Sequence, residues 1–218
     1  MRSTKTKTIV ILGMLTALLL IFSLTPIGTI PVGPLSITLN TIPVAIGAIA
    51  LGPVGGLAMG TIFGLLSFGQ AIGIGVASAM GAALYDISPF FCLVQRLVPR
   101  MLDGLLIGLL HSVLQNKIGG NTSSFVTGFF AAFLNTVFFM SALVLLFSNT
   151  EYMGKLMAGK TALAYIVSSI GLNAIVEMIV TTIVAGAAGT ALYQSRILPL
   201  KKQSQTSQQT SAPAAAKG

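Results

Sequence analysis

The chain is short of charge. Its 218 residues include 12 Lys and Arg but only 4 Asp and Glu, together 7 %, where a water-soluble domain carries roughly a quarter. Residues 8–85, 78 positions between Lys7 and Asp86, hold no charged side chain at all. A stretch that long cannot be solvated, and it is several times the ~20 residues that cross a bilayer core. Cysteine is nearly absent too: the single Cys92 excludes an internal disulfide and a cysteine-cluster metal site. No nucleophile–base pair, metal-ligand cluster or cofactor motif occurs, so no cofactor is expected. An enzyme would have to rest on Glu177 and His111 alone. The formal charge of +8 does not point to nucleic acid, because no basic stripe with interleaved aromatics exists.

What remains is a polytopic membrane protein, with 54 % hydrophobic residues and a mean hydropathy of +0.93. Six spans are expected, at about 8–24, 39–51, 54–68, 92–115, 123–147 and 161–195. A Gly-rich outer segment, 69–89, separates the third and fourth. The first run has a basic flank like a signal peptide, but no A-x-A site follows it, so it reads as a retained helix. Basic residues gather at the two ends (Arg2, Lys5, Lys7; Arg196, Lys201, Lys202, Lys217), which puts both termini in the cytoplasm. Lys117 then falls inside, whereas Glu151, Lys155 and Lys160 fall outside, a mild exception to the charge rule. Residues 1–202 read as one membrane domain. Residues 203–218, rich in Ser, Gln, Thr and Ala, read as a disordered cytoplasmic tail.

The segment 25–43, TPIGTIPVGPLSITLNTIP, is apolar but broken by four prolines and two glycines. Proline lacks a backbone donor and fixes φ, so no continuous helix is expected there. Irregular backbone at membrane depth must be buried in protein or line a cavity. The segment is therefore either a re-entrant loop that merely packs or a lid over an outward-facing site, offering Thr29, Ser36, Thr38 and Asn40.

Polar groups within the spans are few. In span six Ser169, Asn173, Glu177 and Thr181 follow one another at steps of four, which places them on one helix face. A mid-membrane carboxylate costs several kcal/mol unless it is paired or hydrated, and such residues face interiors. In span four Arg96 and Arg100 lie one turn apart, and Asp103 follows on about the same face. Asp103 can neutralise Arg100 at i, i+3, leaving Arg96 to meet an anion through its guanidinium fork or to snorkel to the interface. Pro99 is expected to kink this span, and His111, near its inner end, is given no role. Asn135 in span five needs a partner, whether helix or ligand.

Small residues mark packing. Gly52, Gly56, Gly60 and Gly64 repeat every four residues, a smooth ridge suited to close helix contact. Gly13 and Ala17 form a small-xxx-small pair on span one. Gly154–Thr161 reads GKLMAGKT, a literal phosphate-loop pattern. Such a loop works by joining a strand to a helix, and here an outer loop leads into a span, so the match is coincidence.

At Ile30–Gly60, IPVGPLSITLNTIPVAIGAIALGPVGGLAMG, the chain resembles the vitamin-binding S components of energy-coupling-factor (ECF) transporters. Ser88–Leu110, SPFFCLVQRLVPRMLDGLLIGLL, is similar to the same family's fourth span. The resemblance implies an all-α bundle of six transmembrane helices with a Pro/Gly-rich re-entrant first outer loop, in a bacterial cell membrane. Such a protein binds a vitamin from outside, docks on a transmembrane T component with two cytoplasmic ATPases, and topples to release its cargo without hydrolysing anything itself. The docking motif of the family corresponds to Gly13 and Ala17, with Gly where Ala is more usual. Its ligand-lining elements correspond here to Asn40, Arg96, Asn135, Asn173 and Glu177. The sequence is most like pantothenate-type members. A pyridoxine or hydroxymethylpyrimidine ligand, and an autonomous secondary transporter with Glu177 as its proton site, are the alternatives.

Overall fold

The computed structural model describes residues 2–32, 35–157, 159, 161, 164 and 172–195, with side chains except at 2–5, 29–32, 35–37 and 172–173. The expected tail and the start of the sixth span lie outside these residues. Seven helices and one short ribbon are found among them. In chain order these are α1 (Arg2–Leu24), β1 (Thr29–Val32), β2 (Leu35–Thr38), α2 (Thr41–Ala71), α3 (Ala79–Ile87), α4 (Pro89–Ile118), α5 (Gly120–Phe147), α6 (Glu151–Met157) and α7 (Leu172–Gln194). Five of them, α1, α2, α4, α5 and α7, are long and apolar enough to cross a membrane. The protein is thus a multi-pass, essentially all-helical membrane protein.

The segment expected to lack regular structure pairs with itself. Strands β1 and β2 run antiparallel in the register Thr29↔Thr38 to Val32↔Leu35, and the Leu39 N–H donates to the Gly28 carbonyl at 2.8 Å. Pairing satisfies backbone groups that the prolines keep from forming a helix.

The second and third expected spans form one run of helix that turns back on itself. Gly52 has φ 68° and ψ −155°, a conformation essentially reserved for glycine, and Pro53 follows as a tolerated first helical residue. A Cβ on Gly47 would lie 2.6 Å from Met59 Cγ, and one on Gly55 would lie 2.7 Å from the Gly47 carbonyl oxygen. In a straight helix residues 47 and 59 would be ~18 Å apart. The arms 41–51 and 53–71 therefore lie side by side.

Serines start two helices. Ser78 Oγ accepts from the Gly81 N–H at 3.1 Å to cap α3, and Ser88 caps α4 with Pro89 at its first position. Helix α4 stays continuous through Pro99, from Pro89 to Ile118. Its buried face recurs at helical spacing: Cys92, Gln95, Arg96, Arg100, Asp103, Ile107, His111.

The glycine ridge of α2 rests on α4. A Cβ at Gly56 would overlap the Gly104 carbonyl, one at Gly60 the Arg100 carbonyl, and one at Gly64 would stand 2.9 Å from Leu97 Cα. The two backbones touch directly. Helix α1 is held loosely by comparison: Leu15 and Leu19 enter the core, Gln70 Nε2 donates to the Ser23 carbonyl at 2.9 Å, and Ile9 and Met14 stay exposed.

Apolar residues form two clusters. One joins Leu15, Leu19, Ala48, Met59, Phe63, Ile107, Ala131 and Ala185. The other joins Ala71, Met80, Leu84, Cys92, Met140, Leu143, Phe147 and Met153. Between them, on α2, α4 and α5, fall Ser67, Gln95, Arg96, Arg100, Asp103 and Asn135, all buried.

The backbone contact at Gly104 is testable. Gly104→Ala should cost about 1–3 kcal/mol, as overpacking does, and lower the thermal midpoint of the detergent-solubilised protein. Gly13→Ala, whose Cβ would meet nothing within 4 Å, should leave the midpoint unchanged or raise it. Equal midpoints for the two variants would contradict the crossing.

Candidate functional site

The polar layer is built around the two arginines of α4. Arg96 is 3 % exposed and is fixed by three hydrogen bonds. Its Nη1 donates to the Ser67 carbonyl at 3.0 Å and to Ser67 Oγ at 2.8 Å, and its Nη2 donates to Ser78 Oγ at 3.0 Å. One side chain thus ties α4 to α2 and to the cap of α3. The glycine ridge makes this reach possible, since Gly64 brings Ser67 one turn further along the same contact.

Arg100 is 6 % exposed and differently placed. Its Nη1 donates to the Arg96 carbonyl at 2.8 Å, while its Nε has no partner. The guanidinium carbon stands 4.5 Å from the Phe63 ring centre and 4.9 Å from that of Phe139, within cation–π range. The expected ion pair with Asp103 is not made: among the described residues the pair closer than 4.0 Å is Glu151–Lys155 on the surface helix α6. Asp103 and Glu177 act on Arg100 electrostatically from further away, and Asp103 Oδ1 is buried without a partner.

Glu177 is 5 % exposed and is bonded by the other end of α2. Thr41 Oγ1 donates to Glu177 Oε1 at 3.4 Å and lies 3.0 Å from Thr181 Oγ1. The Thr38 backbone N–H also donates to Glu177. The stripe expected on this helix is therefore seen at Glu177 and Thr181, where it holds the ribbon and the start of α2. The side chain of Asn173, one turn earlier, and all of Ser169 lie outside the described residues. Asn40, fully buried beside Thr41, leaves both amide atoms unpartnered. Asn135 is buried on α5, one turn before Phe139, with Oδ1 unpartnered. Gln95 donates to the Phe139 carbonyl at 3.5 Å and leaves its Oε1 free.

Of the described site residues, Arg96 and Arg100 are joined by the bond to the Arg96 carbonyl, Glu177 acts on Arg100 electrostatically, and Asn40 and Asn135 are buried at the start of α2 and on α5. Sequence reading missed Thr41, Ser67, Ser78, Phe63 and Phe139. Phe63 and Ser67 flank Gly64 on the ridge, and Phe139 stands four residues after Asn135, so each sits at helical spacing from a residue already singled out. His111 belongs elsewhere: its two ring nitrogens lie 2.9 Å from Thr127 Oγ1 and from Tyr193 Oη, and the tyrosine donates to Gln115 Oε1 at 3.0 Å. Gly13 and Ala17 are exposed on α1.

In native proteins nearly all buried polar atoms find partners. Here Asn40, Arg96, Arg100, Asp103, Gln95 and Asn135 each leave at least one without, in helices otherwise apolar. Such concentration is expected of a membrane protein that encloses a polar solute. The chain belongs to the substrate-specific components of ECF transporters, whose family model matches residues 7–187. It is 26 % identical over 210 residues to the pantothenic acid transporter PanT of Lactococcus lactis subsp. cremoris (strain MG1363), covering 90 % of this chain and 98 % of that one.

Ser78 joins the cap of α3 to the Arg96 latch, so Ser78→Ala removes both. A lost cap costs ~1 kcal/mol and a lost bond to a charged group ~1.5–3 kcal/mol. Ser78→Ala should lower the thermal midpoint and speed amide exchange across 78–87. Ser88→Ala, which removes only an exposed cap, should do less. The reverse order would contradict the latch.

Proposed function

We propose that the chain is the pantothenate-binding subunit of an ATP-driven ECF-type uptake transporter in a bacterial cell membrane. The unpartnered polar layer inside the bundle carries this reading, and the similarity to a pantothenic acid transporter over nearly its whole length supports the ligand. The binding set is Asn40, Arg96, Asn135, Asn173 and Glu177. Pantothenate brings a carboxylate for a guanidinium and hydroxyls and an amide for the amide and carboxylate side chains. Arg96, already clamped by Ser67 and Ser78, supplies a fixed positive charge, and Asn40 and Asn135 supply free amide atoms.

In this reading the membrane domain is 1–202 with six spans, the two arms of α2 counting separately, and 203–218 is a cytoplasmic tail. Both termini face the cytoplasm, and the ribbon β1–β2 forms the re-entrant outer loop. The subunit has no catalytic step of its own. A transmembrane T component and two cytoplasmic ATPases drive transport, docking on α1 at Gly13 and Ala17, where the helix surface is bare.

Titration tests the proposal. The purified chain alone should bind one pantothenate with a Kd below ~1 µM, near −8 kcal/mol. Vesicle uptake should need the T component, the ATPases and ATP. Uptake by the chain alone, driven by a proton gradient, would contradict it in favour of a secondary transporter. Tight binding of a neutral pyridoxine or hydroxymethylpyrimidine instead would contradict the ligand.

A further inference from the structure

We propose that His111, Tyr193, Thr127 and Gln115 form a proton-responsive clasp, which holds the end of α7 on α4 and α5 only while the His111 ring is neutral. The substrate reading above enters at one point, in placing this end of the bundle on the cytoplasmic side.

The cluster ties together the end of α4, the start of α5 and the end of α7. His111 is 1 % exposed, Thr127 0 % and Tyr193 3 %. The two ring nitrogens of His111 each lie 2.9 Å from a hydroxyl, Nδ1 from Thr127 Oγ1 and Nε2 from Tyr193 Oη. The Tyr193 ring stacks on His111 with centres 6.2 Å apart and planes 30° from parallel. It is also seated on the α5 backbone, since a Cβ on Gly120 would stand 2.6 Å from it.

Each hydroxyl has a second acceptor: Thr127 donates to the Ser123 carbonyl at 2.7 Å, and Tyr193 to Gln115 Oε1 at 3.0 Å. A neutral imidazole offers one N–H and one lone pair. In either tautomer it donates to one hydroxyl and accepts from the other, whose proton then leaves its outer acceptor. A second ring proton makes both nitrogens donors, and both hydroxyls then keep their outer acceptors. Hydrogen bonding therefore survives protonation, and the failure lies in the charge.

An imidazolium here would be a buried cation without a counter-ion. Helices α2 and α5 carry no charged side chain. On α4 the exposed Lys117 has the same sign, and Asp103 lies eight residues back, ~12 Å along the axis; Arg100 and Arg96 lie further still. On α7 the titratable neighbour is Tyr193 itself, and Glu177 precedes it by sixteen residues, ~24 Å. The Ser123 carbonyl, which also turns to the ring, offers a dipole and no charge. Among the described residues no carboxylate stands within 4.0 Å of His111.

Burying an unpaired ion costs several kcal/mol, whereas a histidine released to water takes a proton near pH 6.5. Acid therefore favours the released state. Opening takes up a proton, and its equilibrium shifts about tenfold for each pH unit below that value. Helix α4 carries Arg96 and Arg100 and α7 carries Glu177, so the clasp pins together helices whose polar groups form the candidate site.

Hydrogen exchange of the ligand-free, full-length protein in nanodiscs tests the clasp, with rates corrected for intrinsic chemistry. Amides of 185–193 should open about tenfold more at pH 5.5 than at pH 7.5. His111→Gln, which cannot titrate, should lose that pH dependence, and Tyr193→Phe should raise opening already at pH 7.5. His111 is the single histidine of the chain, so its ring nitrogens can be followed by 15N NMR without assignment. Folded wild type should show the neutral pattern at pH 5.5. A charged ring at pH 5.5 with 185–193 still protected, a wild type without pH response, or an equal response in His111→Gln would overturn the proposal. None of these readouts uses pantothenate, so a chain that fails to bind the vitamin leaves the clasp result standing.

Discussion

The direct contact of the α2 and α4 backbones is the constraint on which the site depends. Gly56, Gly60 and Gly64 lay a ridge without side chains against the carbonyls of Gly104 and Arg100 and the backbone of Leu97. In a bilayer, where lipid is as apolar as leucine, helix association relies on this kind of close packing. Its consequence is chemical. With the helices this close, Arg96 reaches Ser67 and Arg100 reaches Phe63. A bulkier ridge would lift both arginines away from the residues that fix them.

The second consequence is a polar layer between two apolar clusters. Isolated charges in hydrocarbon cost several kcal/mol each, so their survival here needs an account. Arg96 is covered by hydrogen bonds to neutral oxygens, Arg100 by aromatic faces, and Glu177 by a backbone amide and a hydroxyl. Two guanidiniums, Arg96 and Arg100, are opposed by two carboxylates, Asp103 and Glu177, without close ion pairing. Neutral partners fix the groups while leaving their charge to be answered. In the proposed role the substrate answers it.

Much of this architecture was legible in the sequence, and the reasons are specific. Ending one expected span at 51 and starting the next at 54 implied a reversal across Gly52 and Pro53, and the reversal is found there. The glycine period announced a smooth face, which now has a partner in α4. The ribbon at Thr29–Thr38 was not legible: prolines rule out a helix without specifying that the strand on one side of Gly33 and Pro34 pairs with the other. Within the site, Arg96, Arg100 and Asn135 stood out because polar residues are rare in such helices. Their partners did not. Ser67 and Ser78 are ordinary residues whose importance comes from which arginine they meet, and spacing along α4 suggested an Asp103–Arg100 pair that the aromatic bracing of Arg100 replaces.

A common thread links ridge, latch and polar layer. Backbone contact sets the depth at which the cations lie, neutral partners hold them in place, and the open atoms of Arg100, Asn40 and Asn135 are what a bound solute would meet. Native mass spectrometry of the purified protein tests this claim most directly. The account predicts a one-to-one adduct of a small carboxylic acid with the mass of pantothenate, retained under gentle ionisation. A neutral vitamin in its place, or no adduct even with pantothenate added in large excess, would contradict it.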